Sequence, residues 1–202
     1  MYVTAEQQDA LSELINIGFC RAAATLSVLV GQRVLLEAPV VEILSIPELK
    51  SFIIPLSTGN EIIVEQLFKG VLSGKTMLFM DNQSISILVD LLSGGQGVEH
   101  SIGEYDREAM LEVGNILLNS YIGSFGNLLK SQITFTVPEL CAESINDLLA
   151  HFELENEQLS CTLLVKTEFH FTNRIIGGYI VLIVGVESLE KLFHAVENVI
   201  TH

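Results

Sequence analysis

The chain repeats itself at a fixed distance. Residues 9–41 read DALSELINIGFCRAAATLSVLVGQRVLLEAPVV and residues 108–140 read EAMLEVGNILLNSYIGSFGNLLKSQITFTVPEL. At an offset of 99 residues, Glu13 matches Glu112, Asn16 matches Asn115 and Pro39 matches Pro138. Ile17/Ile116 and Leu29/Leu128 are identical at the same offset, and Asp9 faces Glu108, acid for acid. A duplication of this kind makes each copy one unit that buries its apolar face against the other. The expectation is therefore a single domain, 1–202, built from two repeats of about 4–97 and about 104–200.

Each copy opens with a helical pattern. Thr4-x-x-Gln7 has the form of a capping box, and the first helix is expected to run to about Val30 and stop at Gly31. Leu11, Leu14, Ile15, Gly18, Ala22, Leu26 and Leu29 fall on one stripe. Asp9, Glu13 and Asn16 fall within about 60° of one another on the other side. In the second copy Met110, Val113, Leu117, Tyr121, Phe125 and Leu128 make the apolar face, and Glu108, Glu112 and Asn115 the polar one.

Strand-rich sequence follows each helix. Pro39 and Pro138 sit after apolar runs, where a missing N–H is tolerated at a sheet edge or a turn. FIIPL, IIVEQLFKGVL and KTMLFM in the first half, and LSCTLLVKTEFHF and RIIGGYIVLIV in the second, are expected as strands, with SGK and TNR as hairpin turns. Each half closes with an amphipathic helix, NQSISILVDLL and ESLEKLFHAVENVI. The expected fold class is α/β (α+β): a pseudo-two-fold duplicated unit whose shared β-sheet carries two long helices with the polar faces outward.

Two short runs imitate a nucleotide site. LLSGGQG contains the signature peptide of ABC-transporter ATPases, and SGKT looks like the end of a phosphate loop. The run GVLSGKT has three residues between its glycines, whereas the phosphate loop needs four. Lys75 also leads into an apolar strand pattern rather than a helix. The glycines of SGGQG read instead as a helix stop followed by the linker VEHSIGEYD.

Composition narrows the partners. The formal net charge of −15 argues against nucleic acid and anionic membranes, which demand clustered Lys and Arg. No apolar run approaches the ~18–20 residues of a membrane span, and the N-terminus lacks a signal pattern, so a cytoplasmic location is expected. Cys20, Cys141 and Cys161 show no paired spacing and fit reduced thiols. No Cys/His set has metal-ligand spacing, and Glu168 and His170 read as alternate residues of an exposed strand face.

A polar stripe is by itself what any solvated helix shows. Here it occurs twice at one offset, while neighbouring exposed positions differ (Ser12 against Leu111, Gln8 against Arg107). Asn is also a mediocre residue for a helix interior. The pattern [Asp/Ser]-x-x-x-Glu-x-x-Asn, followed after twenty-two residues by Pro, resembles the CheC/CheX/FliY family of chemotaxis phosphatases. Asp9–Glu13–Asn16–Pro39 fits it throughout, and Glu108–Glu112–Asn115–Pro138 departs only at its first position. Two intact copies on a short chain look most like the CheC branch.

The resemblance implies a hydrolase acting on the aspartyl phosphate of a phosphorylated CheY-type response regulator. Glu13, Asn16, Glu112 and Asn115 are the catalytic candidates it implies, and Asp9, Pro39, Glu108 and Pro138 support the motif. Each Asn would align the attacking water in the partner's site, and each Glu would pair with the partner's active-site Lys. Such chemistry is mainly positioning and electrostatics. It needs no cofactor or metal from this chain, with Mg²⁺ expected on the response regulator. The resemblance brings in the deamidase CheD as a second candidate partner. If the duplication replaces a dimer interface, a monomer is expected. The competing reading is a non-catalytic, response-regulator-binding or flagellar-switch-type module, like the FliM middle domain, which shares the fold without the Glu/Asn pairs.

Overall fold

A computed structural model describes residues 4–57, 61–94, 103–155, 160–171 and 174–200. Six helices are described: α1 (Ala5–Leu29), α2 (Ile46–Ile53), α3 (Asn82–Leu92), α4 (Glu104–Leu128), α5 (Ile145–Glu155) and α6 (Val186–Ile200). Eight strands accompany them: β1 (Leu35–Leu36), β2 (Val40–Leu44), β3 (Ile62–Gly70), β4 (Gly74–Met80), β5 (Ile133–Phe135), β6 (Glu139–Leu140), β7 (Ser160–Phe171) and β8 (Arg174–Gly185).

Local chemistry sets the ends of the first helix. The Gln7 N–H donates to Thr4 Oγ1 at 3.2 Å, and the Thr4 N–H donates to Gln7 Oε1 at 2.9 Å. This satisfies two groups that the first turn leaves without helical partners. At the far end Gly31 takes φ +66°, the left-handed step that ends many helices. α4 has the same 25-residue length, beginning and ending 99 positions after α1.

All eight strands join one sheet of order β1-β7-β8-β4-β3-β5, with β2 also on β7 and β6 also on β3. The shared sheet expected from the duplication is present. Its central seam is the antiparallel pairing of β4 with β8, one long strand from each half. The halves also exchange their short strands. β1 and β2 of the first half pair with β7 of the second. β5 and β6 of the second half pair with β3 of the first.

Alternation along the central strands divides the interior in two. Val64, Leu78, Leu163, Ile180 and Leu182 face a core shared with α1, α3, α4 and α6. Their neighbours Ile63, Met77, Phe79, Leu164 and Val181 face a second core under α2 and α5. A strand buried on both faces reads as a continuous apolar run, and YIVLIV in β8 is one.

Several expectations are corrected. FIIPL is not a strand: Phe52 and Ile53 end α2, and Ile54–Leu56 form a 3-10 turn. The cause is a second capping box, in which Ser45 Oγ accepts from the Glu48 N–H while Glu48 Oε2 accepts from the Ser45 N–H. The Ser45 hydroxyl, which donates to Glu48 Oε2 at 2.6 Å, and then the Ser45 N–H hold the Glu48 carboxyl below its usual pKa. Ser144 and Asp147 repeat the cap before α5, again 99 positions on. The β3–β4 turn lies at 71–73, so Gly74 and Lys75 of SGK already belong to β4. Leu29 is exposed at 42% rather than buried, whereas Phe19 and Ala23 widen the apolar stripe. Thr172 and Asn173 of TNR, and most of the linker after Gly94, lie outside the described residues. Leu92 ends α3 and Gly94 takes φ +85°, so the LSGGQ-like run begins as a helix stop.

Candidate active site

The two long helices pack on each other and on the sheet. α1 meets α4 where Gly18 faces Ser120, Tyr121 and Ser124. The Phe19 and Tyr121 rings lie 6.1 Å apart, and Tyr121 stacks edge-on against Phe125 at 5.1 Å. Gly114 seats α4 on β3, since a Cβ there would meet Val64 Cγ1 at 2.6 Å. Burying these faces leaves the opposite sides of both helices outward.

The motif residues occupy those outer sides. Asp9, Glu13, Glu108 and Glu112 are exposed, and Asn16 and Asn115 are half-buried at the margin of the apolar stripe. Among the described residues none of the four carboxylates is held in an ion pair within the chain. Each copy therefore presents a free carboxylate one turn from a neutral amide. A carboxylate suits a cationic partner group, and an amide can both accept from and donate to water without repelling phosphoryl oxygens.

Pro39 and Pro138 stand one residue before β2 and β6, the short outer strands that lie against α1 and α4. In the first copy Gln8 Nε2 donates to the Val41 carbonyl at 3.2 Å and ties the helix to the strand that follows Pro39.

Two residues on these faces escaped the sequence reading. Ile17, beside Glu13, is an apolar side chain left 43% exposed. Asn119, one turn after Asn115, donates from Nδ2 to Asn115 Oδ1 at 2.6 Å. Its counterpart 99 positions earlier is Cys20, which is exposed. The match of Ile17 with Ile116 was a signal for the first. No signal marked Asn119, because the copies differ there.

One group elsewhere could hold a cation. Glu37, Glu168 and His170 bring ligand atoms within 4.8 Å of one another where β1 meets β7. His170 Nε2 lies 3.4 Å from Glu37 and 3.8 Å from Glu168, and Lys166 also reaches Glu168 at 3.6 Å. A protonated imidazole between two carboxylates satisfies the same geometry. Glu37 could not be paired with His170 from spacing, since strand pairing brings it there. Burial raises the pKa of the Cys141 and Cys161 thiols above the usual value.

No family model matches the chain. Among curated proteins it is similar to the CheY-P phosphatase CheC of Bacillus subtilis, 26% identical over 96% of this chain and 95% of that protein. It is also similar to the flagellar motor switch phosphatase FliY of the same organism, 26% identical over 66% of this chain and 35% of that longer protein. The fold resembles Thermotoga maritima FliY, with TM-score 0.78 and 23% identity, covering 98% and 99% of the two chains. It resembles the H. pylori FliM middle domain at TM-score 0.66 and 11% identity, covering 96% and 99%. A CheX–CheY–BeF3–Mg²⁺ complex from Borrelia burgdorferi contains a further match at TM-score 0.51 and 14% identity, covering 82% and 95%. The chain is thus similar in sequence to CheC and FliY proteins, and its fold is the one seen in FliY, FliM and CheX structures.

Proposed function

We propose that this protein hydrolyses the aspartyl phosphate of a CheY-type receiver, using each long helix as a separate docking and water-positioning face. The reading rests on one observation above all. A free Glu and a half-buried Asn recur on the outer face of α1 and of α4, at matched positions of one unit built from two repeats. The curated names of two relatives support the reaction, and a structural neighbour recorded with CheY supports the partner.

In this reading the receiver brings Mg²⁺, its phosphorylated Asp and its own Lys. Glu13 or Glu112 pairs with that Lys and fixes the helix in register. Asn16 or Asn115 then enters the receiver's site and holds a water in line with the phosphorus. As the water oxygen bonds to phosphorus, the bond to the aspartyl oxygen breaks. The Asp leaves as carboxylate, and a water proton passes to the phosphate product. The amide supplies alignment without charge, which suits a transition state in which little covalent work falls to the protein. Asp9 and Glu108 form the rim, and Pro39 and Pro138 fix the chain beside each helix. CheD remains a second proposed partner, and a monomer the proposed state.

The FliM likeness favours a second reading, a docking module without turnover. The doubled Glu-x-x-Asn pattern favours catalysis over it. The test is the lifetime of a phosphorylated CheY-type receiver in Mg²⁺ with substoichiometric protein. A shortened lifetime with many receivers processed per protein molecule is expected. A lifetime unchanged across a panel of receivers, while binding persists, leaves the docking module.

A further inference from the structure

We infer that Asn119 positions Asn115, so that the second copy turns over faster than the first. This rests on the phosphatase reading and extends it. Asn119 shares the outward face with Glu112 and Asn115, since residues four apart stack on a helix. Its Nδ2 donates to Asn115 Oδ1 at 2.6 Å. That bond fixes the rotation of the Asn115 amide and uses one of the two lone pairs on its carbonyl. The other lone pair and the Asn115 N–H groups stay available for water. The amide is therefore oriented before a receiver arrives, and the ordering cost is met in the folded protein rather than at the transition state.

The first copy lacks this device. Cys20 occupies the matching position, and a thiol is a weak donor. Among the described residues the Asn16 side chain has no hydrogen-bond partner, so its amide must be ordered during each encounter. Stability does not explain Asn119. Its own Oδ1 is enclosed with no partner, an arrangement that costs free energy an apolar side chain would not incur. A residue unfavourable for its helix but aimed at the water-positioning amide is placed for turnover.

The test separates the copies. Asn16→Ala leaves only the second copy competent, and Asn115→Ala only the first. Receiver dephosphorylation is measured for both parents, for Asn16→Ala with Asn119→Leu added, and for Asn115→Ala with Cys20→Asn added. The Asn16→Ala parent should show the higher kcat. Adding Asn119→Leu, of similar shape but without the donor, should lower kcat about fivefold with KM for the receiver unchanged. It should leave the melting temperature equal or higher, the opposite of what a structural role predicts. Cys20→Asn should raise kcat of the first copy by a similar factor. Active parents whose kcat ignores both added substitutions overturn the role of Asn119 and leave the phosphatase reading standing. A wild type that is inert toward receivers it binds overturns both.

Discussion

Gly18 of α1 packs against Tyr121 of α4 so closely that a methyl group added at Gly18 would lie 2.9 Å from the Ser120 carbonyl oxygen and 3.1 Å from the Tyr121 Cα. Both obstacles are backbone, so no rotamer change relieves them. The two candidate faces are thus set by one helix–helix contact with no slack. Gly18→Val should force the helices apart and destabilise the protein by about 2 kcal/mol, as overpacking of a core does. Urea unfolding should show a lower midpoint with an unchanged slope. An unaltered midpoint would mean that the contact yields at little cost.

Tyr121 sits at that contact with its hydroxyl enclosed and unpartnered. Removing such a group by Tyr121→Phe should be neutral or stabilising, by up to about 1 kcal/mol. Burial also pushes the hydroxyl far above its ordinary pKa of 10.0. The sign follows from proton binding. Above pH ~10 the unfolded chain releases this proton and the folded protein keeps it, so stability falls as pH rises, by about 1.4 kcal/mol per unit. Unfolding free energies between pH 9 and 11 should show Tyr121→Phe losing stability less steeply than wild type.

Glu13 and Glu112 are assigned to docking rather than to the reacting water. Glu13→Gln and Glu112→Gln should each weaken binding at their own copy by about fivefold, and the wild-type affinity should fall with added salt more than the variant's. Titration with a receiver loaded with beryllofluoride and Mg²⁺ measures this without turnover. A loss of kcat at saturating receiver with binding intact would move the carboxylates into the chemistry instead.

Ile17 offers an apolar contact beside Glu13 and is 43% exposed in the free protein. Covering it on docking should contribute about 1 kcal/mol. Ile17→Ala should therefore raise the KM of the first copy about fivefold and leave its kcat unchanged, measured by turnover in the Asn115→Ala background, where only the first copy is competent. An unchanged KM would place the docked receiver away from this side of α1.

The long helices were legible because they repeat: Glu13/Glu112, Asn16/Asn115 and Pro39/Pro138 share one offset, and the helical period gives each pair its face. The same comparison held a signal that went unread. Ser45-x-x-Glu48 and Ser144-x-x-Asp147 mark matched helix starts, but the apolar run Phe52–Leu56 looked like a strand, and short apolar runs do not distinguish the two. The exchange of β1 and β2 for β5 and β6 is set by pairing between distant residues, such as Val41 with Val165. No local pattern specifies that. Asn119 was hidden for the opposite reason: matching the two copies selects what they share, and Cys20 is what the first copy has instead.

The most direct measurement is the decay of a phosphorylated CheY-type receiver in Mg²⁺ with wild type, Asn16→Ala, Asn115→Ala and the double variant, beside binding of the same proteins to the beryllofluoride-loaded receiver. Catalytic acceleration by wild type and partial activity in each single variant are expected. The double variant should bind the receiver normally and leave its decay at the spontaneous rate. A double variant that still accelerates decay would contradict the assignment of the water-positioning role to Asn16 and Asn115.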